Sequence, residues 1–459
     1  MAKNKVLVAN RGEIAVRIIR ALKEMGISSV AVYSTADEES LHVKLADEAI
    51  RIGTAKSSDS YLNMNNVLSA AVACGATHIH PGYGFLAEND KFIEMVTATG
   101  IKFIGPSANV VSKLGDKATA KKIAKSSGVP VVMGSNGVVK DVDEGLKIAK
   151  EIGFPVMIKA TSGGGGRGIS IAHNENEFIK SFELTSMEAE ASFGDKSLYV
   201  EKFIESPRHI EIQIMADSFG NTVHLFERDC SLQRRNQKLI EEAPSAILSE
   251  SVRNKMGKAA VDLAKSVNYE GAGTVEFLVD KNLDFYFIEM NTRIQVEHPV
   301  TEMITGIDLI KEQINIALKK TLSFKQEDLK ILGHAIECRI NAEDPLNKFM
   351  PTPGKINKIL FPGGFNVRFD THIYPDYVVS PFYDSMLGKL IVFAKTRKDA
   401  IRKMRVALEQ LLIDGITTNI EYQYAIMHSI DFIKGSYDTS FIAKFNKLIK
   451  GEYREELIR

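Results

Sequence analysis

The stretch Glu289-Met-Asn-Thr-Arg-Ile-Gln-Val-Glu297 sets an acid, an amide, a cation, an amide and an acid at alternate positions, with Met290, Thr292, Ile294 and Val296 between them. In an extended strand this alternation puts the polar groups on one face, roughly 7 Å apart, because each residue rises ~3.3 Å. An ordinary solvated strand face carries Thr, Lys and Ser; this set can bind an ionic substrate and move a proton. Just upstream, 273–280 and 284–291 read as the strands of a hairpin whose loop, 281–284, sets Glu276 opposite Glu289. Two carboxylates opposed on a buried face repel. A hard divalent cation removes that conflict, Mg²⁺ with phosphates being the usual case, and Asn291 offers a third oxygen. A one-residue slip in register would send one acid to the other face.

The glycine run 163–166, with Gly168, is the second signal. It follows a strand pattern over 154–160, and Lys159 near that strand's end could reach a phosphate as a mobile point charge. Successive N–H groups of glycines can cradle an anion, and so flexible a run suits a lid. Its spacing fits neither a Walker A loop nor a dinucleotide GxGxxG. The run 227–238 is dense in charge and reads as solvated surface, with Cys230 as a structural residue. The motifs at 10–13 and 80–85 follow first-domain strands, where open α/β sheets place their crevices.

These residues need a multidomain scaffold. A chain of 459 residues is too long for a single core. Strand patterns at 6–9, 29–33, 77–80 and 102–104 alternate with helices such as 13–25, the rhythm of a parallel sheet. Further helices are expected at 116–128, 250–267, 306–319 and 397–412, and longer strands at 209–216 and 222–228. With 58 basic and 58 acidic residues the net charge is zero, which argues against a general nucleic-acid or membrane-surface binder. Three unclustered cysteines, Cys74, Cys230 and Cys338, fit a reducing compartment, and no apolar run spans 18 residues. A cytoplasmic protein is expected.

The motifs Asn10-Arg-Gly-Glu-Ile-Ala15, His80-Pro-Gly-Tyr-Gly-Phe-Leu-Ala-Glu-Asn89, the glycine run, Arg228-Asp-Cys-Ser231, Glu289–Pro299 and Glu337-Cys-Arg-Ile-Asn-Ala-Glu-Asp-Pro345 occur in this order along nearly the whole chain. Together they resemble biotin carboxylase, an ATP-grasp enzyme. The resemblance implies an α/β and α+β multidomain fold: a Rossmann-like amino-terminal domain (1–112), an ATP-grasp body (113–330) with a mobile lid at about 131–204, and a carboxy-terminal domain (331–459).

It also implies ATP- and bicarbonate-dependent carboxylation of biotin through carboxyphosphate. Lys117, Lys159, Gly165 and Gly166 would hold the ATP phosphates. Glu201, Lys202, Ile204, His209, Gln233 and Asn236 would line the adenine and ribose site. Glu276, Glu289 and Asn291 would hold one or two Mg²⁺ or Mn²⁺ ions. Lys238, Arg293, Gln295 and Val296 would bind bicarbonate, with Glu297 as the base. Arg339 would face the biotin ureido oxygen, and Asp384 would position Arg339 or biotin. The chain has no Met-Lys-Met motif, so biotin is expected on a separate carrier protein, with carboxyltransferase subunits as further partners and a homodimer as the assembly.

The bacterial pattern carries His where this chain has Asn236, and Ser162 replaces one glycine of the run. Two rival readings share the glycine lid and metal hairpin: another ATP-grasp carboxylate ligase, and a nucleotide-binding regulatory module without catalysis. The acceptor expected is acetyl-CoA, in fatty acid synthesis, with a two-subunit pyruvate carboxylase as the alternative.

Overall fold

Short β-branched runs in the first hundred residues form a parallel sheet. In the computed structural model, which describes residues 4–135, 137–161 and 168–449, strands β1 (Lys5–Val8), β2 (Ser28–Ser34), β3 (Glu48–Gly53), β4 (His78–His80) and β5 (Lys102–Phe103) lie in the order β3-β2-β1-β4-β5. The strand order reverses beside β1, where crevices of open sheets form. Both loops at that crevice are tied together: Asn10 donates to the carbonyls of Pro81 and Tyr83, each at 2.7 Å. Helix α1 (Gly12–Glu24) leaves the crevice through Gly12, whose φ of +67° favours glycine.

Helix α2 (Lys117–Ser126) leads into the lid, where β6 (Val156–Ala160), β7 (Ile169–Ala172) and β8 (Leu198–Lys202) make a three-stranded sheet with β6 central. Phe178 and Phe182 pack that sheet into a core of its own. A small separate core lets such a unit move as a body. The glycine run falls within 162–167, outside the described residues, so Gly165 and Gly166 are not placed.

The largest element is an eight-stranded antiparallel sheet. It comprises β9 (Arg208–Ala216), β10 (Thr222–Arg234), β11 (Gln237–Ala243), β12 (Gly271–Val279), β13 (Phe285–Asn291), β14 (His334–Asn341), β15 (Val367–Thr371) and β16 (Met386–Ala394). Their order is β13-β12-β9-β10-β11-β14-β16-β15. The sheet therefore runs through the boundary expected near residue 330: β11 pairs with β14 from Ile240 opposite Cys338 to Ala243 opposite Ala335. A strand with β11's burial would be a poor edge, and β14 covers it.

Helix α3 (His298–Thr305) packs on one face of this junction through Val300 and Ile304, and helix α4 (Arg397–Gln410) packs on the other through Met404 and Leu408. The helix expected at 306–319 is observed as Leu309–Ala317; α3 precedes it and ends at Gly306 (φ +74°). Among the described residues no helix is long and apolar enough to cross a membrane.

Glu242 ties the last helices to this sheet. It accepts from His334 at 2.6 Å, from Arg397 at 2.6 and 3.0 Å, and from Tyr437. Burial pushes its carboxyl up, but His334 and Arg397 outweigh burial and hold it at about 2. A lowered folded pKa stabilises the fold above the unfolded value of about 4.5 and loses that contribution as pH falls toward 2. Glu242→Gln is expected to cost about 3 kcal/mol at neutral pH and to flatten the loss of stability between pH 4.5 and 2, measured by denaturant unfolding across that range.

Candidate active site

The five alternating polar groups do not share one strand face. β13 ends at Asn291, the chain bends at Thr292–Arg293, turns at Val296–Glu297 and enters α3. The reason is local: Pro299 belongs in the first turn of a helix, where its missing N–H costs nothing, and not in a central strand. The groups still converge, through the bend. Arg293 donates to Asn291 Oδ1 and to Gln295 Oε1, each at 3.1 Å, and Gln295 reaches Glu276 Oε1 at 3.4 Å.

Glu276 does lie opposite Glu289. The expected four-residue loop is in fact five residues, 280–284, with Val279 opposite Phe285. A bulge between Glu276 and Phe277 restores the pairing. Burial pushes the Glu289 carboxyl up, and Glu276 pushes it further. Glu289 takes no hydrogen bond or salt bridge among the described residues. Glu276 is pushed up by burial but held below the usual carboxylate range by Lys238 and His209.

An opposed pair with one unpaired member fits a divalent cation. Asn291 stands beside the pair, its Nδ2 donating to Glu276 at 3.0 Å and its Oδ1 accepting from Arg293. His209 and Glu211 bring their donor atoms within 4.8 Å of Glu276.

Lys238 sits where three carboxylates meet, 2.5 Å from Glu211, 2.9 Å from Glu276 and 2.6 Å from Glu297. Glu297 is wholly buried and is gripped from the other side by Arg339 at 2.9 Å. Burial raises its carboxyl, yet Lys238, Arg339 and Arg228 together hold it well below the ordinary range, so it stands ionised. Arg339 also donates to Glu241 at 2.6 Å.

At the lid end, Lys159 lies 2.6 Å from Glu201, and Lys121 clasps the other oxygen of the same carboxylate. Burial, then Lys121 and Lys117, brings Lys159 down to about 8. Lysines so crowded around a single carboxylate favour an incoming polyanion. Ile204 and Gln233 line the same cleft, which has a volume of about 2570 Å³ and runs from the lid to Tyr83 and Arg339. Lys202 is engaged with the carbonyls of Gly153 and Phe154 at 2.9 and 3.0 Å.

Three family models match the chain in succession: "Biotin carboxylase, N-terminal domain" over 2–111, "Carbamoyl-phosphate synthase L chain, ATP binding domain" over 116–325, and "Biotin carboxylase C-terminal domain" over 337–444. The chain belongs to the biotin carboxylase family. It is 57% identical to chloroplastic biotin carboxylase 1 of Populus trichocarpa, over 96% of this chain and 84% of that protein. It is 52% identical to a pyruvate carboxylase subunit of Methanothermobacter thermautotrophicus, over 98% of this chain and 92% of the other. The biotin carboxylase domain dimer of Hydrogenobacter thermophilus 2-oxoglutarate carboxylase, solved with MgADP, ADP and bicarbonate, superposes with a TM-score of 0.89 at 49% identity, covering 97% of this chain and 98% of that one.

Within this biotin carboxylase family member, one expectation needs correction. The run 227–238 is solvated only at its hairpin end, where Arg235, Asn236 and Gln237 are exposed: Glu227 through Leu232 are buried in β10, and the Cys230 thiol lies 3.7 Å from Glu297 Oε1. Its charges are neutralised by partners that are distant in sequence. Arg228, for example, donates to Glu211, Gln213, Thr274 and Thr301.

Asp384 lines the cleft, but its carboxylate accepts from the Met386 N–H at 2.8 Å; Glu241, not Asp384, hydrogen-bonds Arg339. Asn236 is a hairpin residue with φ +64°, next to Arg235 at +49°. Two consecutive positive φ values demand residues that tolerate the left-handed region, and Asn does. The Val296 carbonyl is engaged by buried Lys389 at 2.8 Å.

Sequence reasoning missed Glu88, Lys121, Glu211, Glu241 and Lys389. Glu88 accepts from Arg293 at 2.7 Å and from the Thr292 N–H at 2.9 Å, so the amino-terminal domain braces the bend. Only Lys121 carried a usable signal, lying one helical turn beyond Lys117 in α2.

Proposed function

We propose that this chain carboxylates biotin, held on a carrier protein, at the expense of ATP and bicarbonate, and that Glu297 is the base. The observation that carries the reading is Glu297 itself, buried and ionised directly behind Lys238 and Arg339, which line one end of a cleft whose other end is lined with lysines. Lys117, Lys121 and Lys159 bind the ATP phosphates, together with Gly165 and Gly166. Glu201, Lys202, Ile204, His209, Gln233 and Asn236 surround the adenine and ribose. Glu276 and Glu289, with Asn291, would hold Mg²⁺ or Mn²⁺, which would neutralise phosphate charge so that two anions can meet.

Bicarbonate is a poor electrophile. Lys238, Arg293, Gln295 and the Val296 backbone hold it, the Arg fork suiting two of its oxygens at once. Glu297 takes its proton as the oxygen attacks the γ-phosphorus of ATP, releasing ADP and forming carboxyphosphate. As bicarbonate engages Lys238, that cation is drawn from Glu297, and the proton affinity of Glu297 rises when it is needed. Arg339 then stabilises the enolate-like ureido anion of biotin, with Asp384 lining the biotin side. The lid keeps water from an intermediate that hydrolyses easily.

The deciding assay is bicarbonate-dependent ADP release with and without free biotin; the reading fails if biotin gives no stimulation. Glu88→Ala is expected to loosen Arg293 and raise KM for bicarbonate about tenfold while leaving ATP affinity within about twofold, by steady-state kinetics. The acceptor downstream is acetyl-CoA, with carboxyltransferase subunits as partners. The 52% identity to a pyruvate carboxylase subunit supports pyruvate as the second reading. A homodimer is the proposed assembly, supported by the dimer of the 2-oxoglutarate carboxylase domain. The cytoplasm is the proposed compartment; chloroplastic relatives make a plastid the alternative.

A further inference from the structure

The sheet opposes two buried carboxylates twice. Glu276 faces Glu289 between β12 and β13, and Glu241 faces Glu337 between β11 and β14. The first pair opens into the cleft and can take a cation from solution. The second pair is sealed: Glu241 and Glu337 are both 0% exposed and neither lines the cleft. Val300 and Ile304 of α3 pack on Ala243, Ala335 and Ile391 beside it, closing that side with hydrocarbon. Both oxygens of Glu337, and Oε2 of Glu241, find no hydrogen-bond partner. Two opposed carboxylates with only one ion-pair partner between them, Arg339 on Glu241, do not both stay ionised there, because the cost of burying the unpaired charge of Glu337 exceeds that of binding a proton.

The surrounding charges do not remove the conflict. Arg339 on β14 is shared between Glu241 and Glu297. Lys389, paired across from Arg339 on β16, is spent on the Val296 carbonyl and on Glu13 of α1, 3.1 Å away. Lys238 of β11 is spent on Glu211, Glu276 and Glu297. Arg228 of β10 is bound to Glu211. His298 of α3 is buried and held neutral, burial and then the nearby Lys389 outweighing Glu302. Burial pushes both members of the pair upward, Glu241 to about 7 and Glu337 well above the usual carboxylate range.

We infer that Glu241 and Glu337 hold one proton between them at neutral pH and act as positioning residues, keeping a single negative charge behind Arg339 so that its guanidinium stays balanced between Glu241 and Glu297. The inference rests on the reading above in that Arg339 serves the biotin half of the reaction. Loss of the shared proton at alkaline pH places a second charge behind Arg339 and draws the guanidinium away from Glu297 and from biotin. Biotin-dependent turnover then falls as pH rises, while bicarbonate-dependent ATP cleavage without biotin falls less.

Glu337→Gln fixes the one-proton charge permanently. It is expected to keep turnover at pH 7 within about threefold and to move the alkaline limb of biotin-dependent kcat upward by more than one pH unit. An unchanged limb, or a uniform loss at every pH, overturns the inference. The second measurement needs no activity: the infrared spectrum of the folded wild-type protein minus that of Glu337→Gln should contain a deuterium-sensitive carboxylic C=O band at neutral pH, and its absence overturns the shared proton. Should the variant not fold, the wild-type spectrum decides, since a folded protein with no carboxylic band at neutral pH refutes the pair. A protein that shows the band yet lacks biotin-stimulated ADP release would leave the proton in place and refute the function instead.

Discussion

Glu297→Gln should lower bicarbonate-dependent ATP cleavage about 10³-fold while nucleotide affinity stays within about threefold, as read by ADP release and by ATP titration. Gln fills the same volume but its single amide oxygen can accept from only one of Lys238 and Arg339; some stability should be lost, the fold should survive, and the loss of activity should fall on kcat. A further consequence separates a base from a mere anchor. Lys238 and Arg339 depress Glu297 while they hold it, so it works as a base only when substrates engage those cations. The variant should therefore be as defective with saturating bicarbonate as without. Recovery at high bicarbonate would mean that Glu297 binds substrate and does not deprotonate it.

Arg339→Ala should divide the two halves of the reaction. Biotin-stimulated turnover is expected to fall about 10²- to 10³-fold, because a preorganised cation facing a developing oxyanion is worth that much in a dry site. Bicarbonate-dependent ATP cleavage without biotin should fall far less, since Lys238 still holds Glu297 at 2.6 Å. The substitution also strands Glu241, whose hydrogen-bond partner is Arg339. Some loss of stability is expected, so the rates must be measured well below the melting temperature. Equal losses in both assays would show that Arg339 supports the bicarbonate site and not biotin.

Elements with a strong local period were legible. The strands 6–9, 29–33 and 209–216 and the helices 13–25 and 250–267 lie within two residues of those observed. The local signal failed where two local rules competed. Alternation over 289–297 argued for one strand, but Pro299 wanted a helix, and the helix won from His298 onward. The pairing of Glu276 with Glu289 was expected on a wrong loop length that an unseen bulge offset. Charge in 227–238 suggested a wet surface, because nothing in that run shows that Glu211, Thr274 and Thr301 wait across the sheet to neutralise it.

The sequence by itself determined the chemical inventory, the carboxylates, amides and cations available to a site, and, through the ordered motifs, the family. Tertiary structure alone decided how those residues are charged and aimed. Glu88 steadies Arg293 from another domain, Glu241 accepts from Arg339, and Lys389 pins the turn at Val296. Residue type and short-range spacing are written along the chain. A side chain's charge state depends on burial and on partners far along the chain, as Glu13 is from Lys389, and it exists only once the strands have been brought side by side.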